Sequence, residues 1–147
     1  VHSQITQGHL AIGLALLDNQ DSIPAIRELV KRKGEPDRRK LASMALGMLR
    51  DKEAVDLLKD VIEESTSSKA ILAAATVSLG HIGDRSAVDT LVGIATSNKY
   101  ADISRAFSVV ALGYLGDKDD IPLLSKIHYN SNYLAQTESL AELLTIL

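Results

Sequence analysis

Three residues return on a fixed beat along this chain. Ala45-Leu46-Gly47, Ser78-Leu79-Gly80 and Ala111-Leu112-Gly113 stand at the same point of successive segments, and a weaker copy, Gly13-Leu14-Ala15, precedes them. Their third residues lie 32, 33 and 33 positions apart. Self-similarity at such a period specifies a stack of like supersecondary units, each too small to bury its apolar side alone. A glycine inside a helix costs about 1 kcal/mol relative to alanine, so one recurring at a single structural place needs a packing reason. The expected reason is that a neighbouring helix backbone comes close there, with Ala15, the next smallest residue, holding the place in the first unit.

Aligned on the beat, every unit divides into two helical pieces. The first helices carry apolar residues on one face: Leu10, Leu14 and Leu17; Leu41, Ala45, Leu46 and Leu49; Leu72, Ala75, Leu79 and Ile82; Ala106, Val109, Val110 and Leu115. A short turn follows each, with Asn19, Asp51, Asp84 and Asp117 in one column. A side-chain oxygen there accepts the free N–H groups opening the next helix, so capping rather than catalysis accounts for this row of acids. Gly83 and Gly116 suit the left-handed residue that ends a helix, and Pro24 and Pro122 suit first helical turns. The second helices align in three apolar columns: Ile23, Val55, Val88 and Ile121; Ile26, Leu58, Leu91 and Leu124; Leu29, Val61, Ile94 and Ile127. The expected architecture is an all-α superhelix of four helical pairs in a single domain. Its units run about 5–36, 37–68, 69–101 and 102–131, with a terminal helix at 132–147.

These motifs resemble the short HEAT-like repeats of the phycobilisome-lyase type, whose pattern runs roughly Val-Arg-x-x-Ala-x-x-Ala-Leu-Gly, Leu-Gly-Asp, Ala-Val-x-x-Leu. Arg39, Ala42, Ala45-Leu46-Gly47, Asp51 and Ala54-Val55 match it in the second unit. Ala75, Leu79-Gly80, Ile82-Gly83-Asp84, Ala87-Val88 and Leu91 match it in the third, and Arg105, Ala111-Leu112-Gly113, Leu115-Gly116-Asp117, Ile121-Pro122 and Leu124 in the fourth. Leu72 replaces the arginine of the third unit, and the first unit lacks both arginine and glycine. The resemblance covers about residues 8–129. It implies an α-solenoid whose second helices line a concave, partner-binding face.

Composition narrows the function classes. With no cysteine there is no disulfide framework and no thiolate chemistry. His2, His9, His81 and His128 are scattered, with no His-x-x-x-His pair, and His81 is expected to be a partly buried packing residue. No catalytic residue, metal or cofactor is expected. No apolar run approaches the roughly 18 residues of a membrane span. The first residues lack the basic start and apolar run of a secretory leader, which favours a cytoplasmic chain, and the missing initiator Met suggests a piece of a longer one.

The exposed positions between the apolar columns of the second helices form a ladder of charged and polar side chains. Arg27, Lys31, Lys59, Asp60, Glu63, Asp89 and Tyr129 are the candidate contacts for a protein partner. Charge is segregated: residues 27–40 hold seven basic and three acidic side chains, residues 51–64 six acidic and two basic. Pairing between units, such as Lys31 with Glu63 or Glu28 with Lys59, is the plainer account, and a bipolar patch that orients a charged partner is the sharper one. A nucleic-acid backbone is disfavoured by the net charge of −3 and the 3% aromatic content. An accessory, lyase-like subunit handling a chromophore is the competing class.

Overall fold

A computed structural model describes residues 2–65 and 67–116, with side chains from residue 5 onward. Seven α-helices occupy this span: α1 (His2–Leu16), α2 (Ile23–Lys31), α3 (Pro36–Met48), α4 (Val55–Glu64), α5 (Lys69–Ile82), α6 (Val88–Thr96) and α7 (Asp102–Gly116). Among the described residues there is no strand. The fourth unit's second helix, the terminal helix, Asp117 and Tyr129 lie outside the described residues.

Each first helix leads into a second helix through a single turn of 3-10 helix, at Gln20–Ser22, Lys52–Ala54 and Arg85–Ala87. The expected caps sit at those turns rather than directly on the α-helices. Asn19 accepts from the Ser22 N–H at 3.1 Å, Asp51 from the Glu53 N–H at 3.2 Å and Asp84 from the Ser86 N–H at 2.9 Å. The left-handed residue that reverses the chain is Gly83 (φ 70°) in the third unit, but Asp18 (φ 51°) and Arg50 (φ 53°) fill that place in the first two. Asp is among the residues that tolerate this region; Arg50 takes it at a conformational cost. Gly116 is the last described residue, and the turn expected after it lies outside the described residues.

The helices form two layers. First helices stack in the order α1, α3, α5, α7, and each second helix packs along the first helix of the next unit: α2 on α3, α4 on α5, α6 on α7. The core lies between the layers and is built from Ile26, Val30, Ala42, Leu46, Leu58, Ile62, Ala75, Leu79, Leu91 and Ile94. Ile26, Leu58 and Leu91 hold the middle column as expected. The third column departs from expectation in α2, where Val30 takes the buried place and Leu29 is only half-buried beside an open groove.

The glycines mark the joints of the first-helix layer. A Cβ on Gly47 would lie 2.7 Å from Ser78 Cα, and one on Gly80 would lie 2.7 Å from Ala111 Cα. Backbone meets backbone at both, and the Ser78 hydroxyl adds a bond across the first joint to the Ser43 carbonyl at 2.8 Å, shared with Ala74 at 2.7 Å. In α1 the tight residue is Gly8, against Leu41 and Arg38, which lies off the beat that pointed to Ala15. Gly113 has no described atom within 4 Å of such a Cβ.

The ends of the described stack correct the expected apolar faces. Leu10 and Leu17 of α1 are 60% and 79% exposed, and Val109, Val110 and Ala106 of α7 are exposed too. The matching positions in α3 and α5 are covered by helices on both sides, whereas α1 and α7 have a described neighbour on one side only. His81, expected to be partly buried, is exposed and stacks on the Tyr114 ring with centroids 4.6 Å apart.

Candidate functional site

The charged ladder divides into side chains spent on the fold and side chains left over. Arg27 belongs to the first group. Its Nε donates to Asp51 Oδ2 at 2.6 Å, its Nη2 to Asp51 Oδ1 at 2.5 Å, and its Nη1 to Glu53 Oε2 at 2.6 Å. The Asp51 side chain is 4% exposed, so this fork holds a carboxylate that has little water. The hydrogen bonds to Asp51 are the main reason that the guanidinium pKa is raised, and it stays charged at any ordinary pH. One acid therefore does two jobs: it caps the turn before α4 and ties α2 to the next unit.

A second bridge crosses the same pair of units at the other end of the helices. Glu64 accepts from Lys33 Nζ at 2.9 Å and from Arg39 Nη2 at 2.7 Å. The Arg39 Nε also donates to the Val30 carbonyl at 3.1 Å, and Arg105 Nε donates to the Ala95 carbonyl at 3.0 Å. The arginine of the repeat pattern thus closes the last turn of the second helix packed against it, where carbonyls lack helical partners. Lys33 and Arg39 hold the Glu64 carboxyl below the usual range.

The segregated charge is consumed in pairing between units, but not through the expected pairs. Lys31 bonds Glu28 at 2.7 Å and Lys59 bonds Asp56 at 3.3 Å, each three residues away on its own helix. A neighbour one turn away is met at little entropic cost, and that beats a partner on another helix. Asp60, Glu63 and Asp89 are exposed and make no ion pair among the described residues. Asp56, Asp60 and Glu63 stand four and three residues apart on α4, and Asp89 is the counterpart of Asp56 on α6. Of the candidates read from the sequence, Lys31, Asp60, Glu63 and Asp89 are exposed, whereas Arg27 is turned to Asp51 and Lys59, at the equivalent position of the next unit, is half-buried like it.

No group of three or more His, Cys, Asp or Glu side chains placed to hold a metal occurs among the described residues, and no described helix is long and apolar enough to cross a membrane. Sequence reasoning missed the buried Arg38, whose Nη2 donates to the Arg32 carbonyl at 2.8 Å; nothing in the repeat pattern marks it.

A family model for HEAT repeats matches residues 2–77, more than half of the chain. The chain belongs to the HEAT-repeat family. Searches of curated proteins and of solved structures returned no match. HEAT repeats generally serve as protein-interaction scaffolds, and the match spans α1 to α5, the part that holds both inter-unit bridges.

Proposed function

We propose that this HEAT-repeat chain is a non-enzymatic scaffold that docks a protein partner on the exposed, concave side of its second helices. The observation that carries the reading is that Asp60, Glu63 and Asp89 are exposed and have no ion-pair partner among the described residues, while neighbouring charges are spent on the fold. Lys31 and Lys59 flank them and set orientation, Arg27 contributes by holding the second unit in register, and Tyr129 extends the surface at the far end. In the same proposal the fourth pair and the terminal helix, residues 117–147, continue the stack as one domain.

Engagement of Arg27, Lys33 and Arg39 by carboxylates leaves a weaker basic patch than the sequence run alone offers, which favours a protein over a nucleic-acid backbone. The test is charge reversal. Asp60→Lys with Glu63→Lys leaves the melting temperature within a degree or two and weakens a captured partner by about tenfold or more. Unchanged binding of every captured partner would remove the second-helix face from consideration.

A further inference from the structure

Every described second helix rests on the next first helix through an aliphatic stripe, but the polar ties beside that stripe differ from joint to joint. Around the α2–α3 joint they stand at both ends. Arg27 forks onto Asp51 and Glu53 in the turn before α4, and Arg39 donates to the Val30 carbonyl in the last turn of α2. Glu64, at the far end of α4, accepts from Lys33 and Arg39. Helices α2, α3 and α4 are thereby fastened to one another. At the α6–α7 joint Arg105 donates to the Ala95 carbonyl and the Ser108 hydroxyl to the Leu91 carbonyl, so α6 is fastened to α7.

Between these two blocks the ties are missing. The place of Arg39 and Arg105 is held in α5 by Leu72, which has no donor to offer the Ile62 carbonyl, the counterpart of Val30 and Ala95. The place of Arg27 is held by Lys59, which bonds Asp56 on its own helix. Asp84, the counterpart of Asp51, is engaged chiefly by the Ser86 N–H, and Lys59 is the weakest of the influences on its carboxyl. Ser86 itself stands where the second unit has Glu53. Among the described residues no side-chain hydrogen bond or ion pair joins α4 to α5. The two pack through aliphatic groups, with Leu58, Val61 and Ile62 of α4 and Leu72, Ala75 and Leu79 of α5 all buried. Apolar burial has no preferred direction, whereas a fork or a hydrogen bond fixes register.

We propose that the chain flexes at the α4–α5 joint in preference to its neighbours. The blocks α2–α4 and α5–α7 each move as a unit, and α4 shears on α5. The pivot is the backbone contact of Gly47 with Ser78, whose hydroxyl also bonds the Ser43 carbonyl. Asp60 and Glu63 lie on the first block and Asp89 on the second. Shear therefore changes the span between these acids, and a partner seated on both blocks selects one setting from the population. That consequence rests on the docking proposal. The joint does not, and it is tested with no partner present, so either can fail without the other.

The chain has no cysteine, so nitroxide pairs can be placed without background. Glu28, Asp60 and Gly93 are equivalent exposed positions in the middle of α2, α4 and α6, and a Cβ added to Gly93 meets nothing within 4 Å. Double electron–electron resonance on Glu28→Cys with Asp60→Cys, and on Asp60→Cys with Gly93→Cys, compares the fastened joint with the unfastened one. The second distance distribution should be broader by about 2 Å, the scale of helix shear. Lys59→Arg with Ser86→Glu copies the Arg27 fork onto Asp84; it should narrow the α4–α6 distribution to the α2–α4 width and leave the α2–α4 distribution unchanged. Arg27→Ala should broaden the α2–α4 distribution by a similar amount. Leu72→Arg supplies the missing donor by a second route. Equal widths without these changes overturn the proposal, and so does a broad α4–α6 distribution that neither the copied fork nor Leu72→Arg narrows.

Discussion

The two layers of this molecule are held by different means. First helices approach backbone to backbone, at Gly47 on Ser78 and Gly80 on Ala111, where only the short Ser78 and Ala111 side chains lie at the joint. Second helices reach the rest of the stack through side chains: an aliphatic stripe buried on the next first helix, an arginine closing the last turn, and the Arg27 fork on Asp51 and Glu53. A backbone contact has no rotamer with which to adapt, so the first-helix layer is intolerant of added atoms. A side-chain contact leaves the opposite face of its helix free to vary, and the second-helix layer is where the units differ most: Asp60 stands where the third unit has Gly93, and Glu63 where it has Thr96.

Glycine substitutions offer the hardest test of that difference. Gly80→Val places side-chain atoms into the α7 backbone and should cost about 3 kcal/mol or more of unfolding free energy in urea melts. A loss under about 1 kcal/mol would show that the joint gives way. In the other layer, Arg27→Ala leaves a carboxylate with little solvent and one remaining backbone donor, and should cost about 2 kcal/mol. If Arg27→Ala together with Asp51→Ala proved no milder than the sum of the two single losses, the fork would not be a coupled unit. Gly93→Ala should move the other way and gain about 1 kcal/mol, because its added methyl meets nothing within 4 Å and removes the helix penalty. Within the first-helix layer, Thr76 is fully buried and its hydroxyl has no hydrogen-bond partner among the described residues. Thr76→Val should therefore be neutral or stabilising by up to about 1 kcal/mol, detectable as a small rise in thermal midpoint.

Acid titration should give the mildest effect, and it falls on exposed groups. Glu64 beside Lys33 and Arg39, Glu28 beside Lys31, Asp37 beside Lys40 and Asp84 at the Ser86 N–H are all held below their ordinary carboxylate values. Folding therefore favours their ionised forms. Their contribution is complete above the unfolded values near 4 and is lost as pH falls through the lower folded ones. Thermal midpoints flat from pH 8 to 5 and falling below about 4 are expected, and a midpoint that rose on acidification would contradict the assignment.

The repeat beat made much of this legible in advance. It placed Gly47 and Gly80 at the joints, Asp51 and Asp84 at the caps and Ile26, Leu58 and Leu91 in the core, because each of these roles recurs at one phase of the period. Features belonging to one unit were opaque. Gly8 sits two helical turns from the beat, and the buried Arg38 donates to the Arg32 carbonyl in a linker that no other unit shares in sequence. Charge runs showed which segments attract but not which atoms meet: Arg27 and Arg39 have the reach and the fork to cross between units, whereas Lys31 and Lys59 settle on partners one turn away. The exposure of Leu10 and Leu17 depends on what lies beside α1, and periodicity within a helix carries no information about that.

Because α2 leans on α3 and α4 on α5, the modules that can be shuffled are not the ones the beat outlines. A shorter or longer array spliced at the linkers around residues 32–35 or 65–68 would strand a second helix away from its support. Splicing at the reversals Asp18, Arg50 and Gly83 instead moves a second helix, its linker and the next first helix as one piece. A duplicated cassette of residues 51–83 should insert with every such pair intact, making the left-handed turn residues the natural cloning junctions of this molecule.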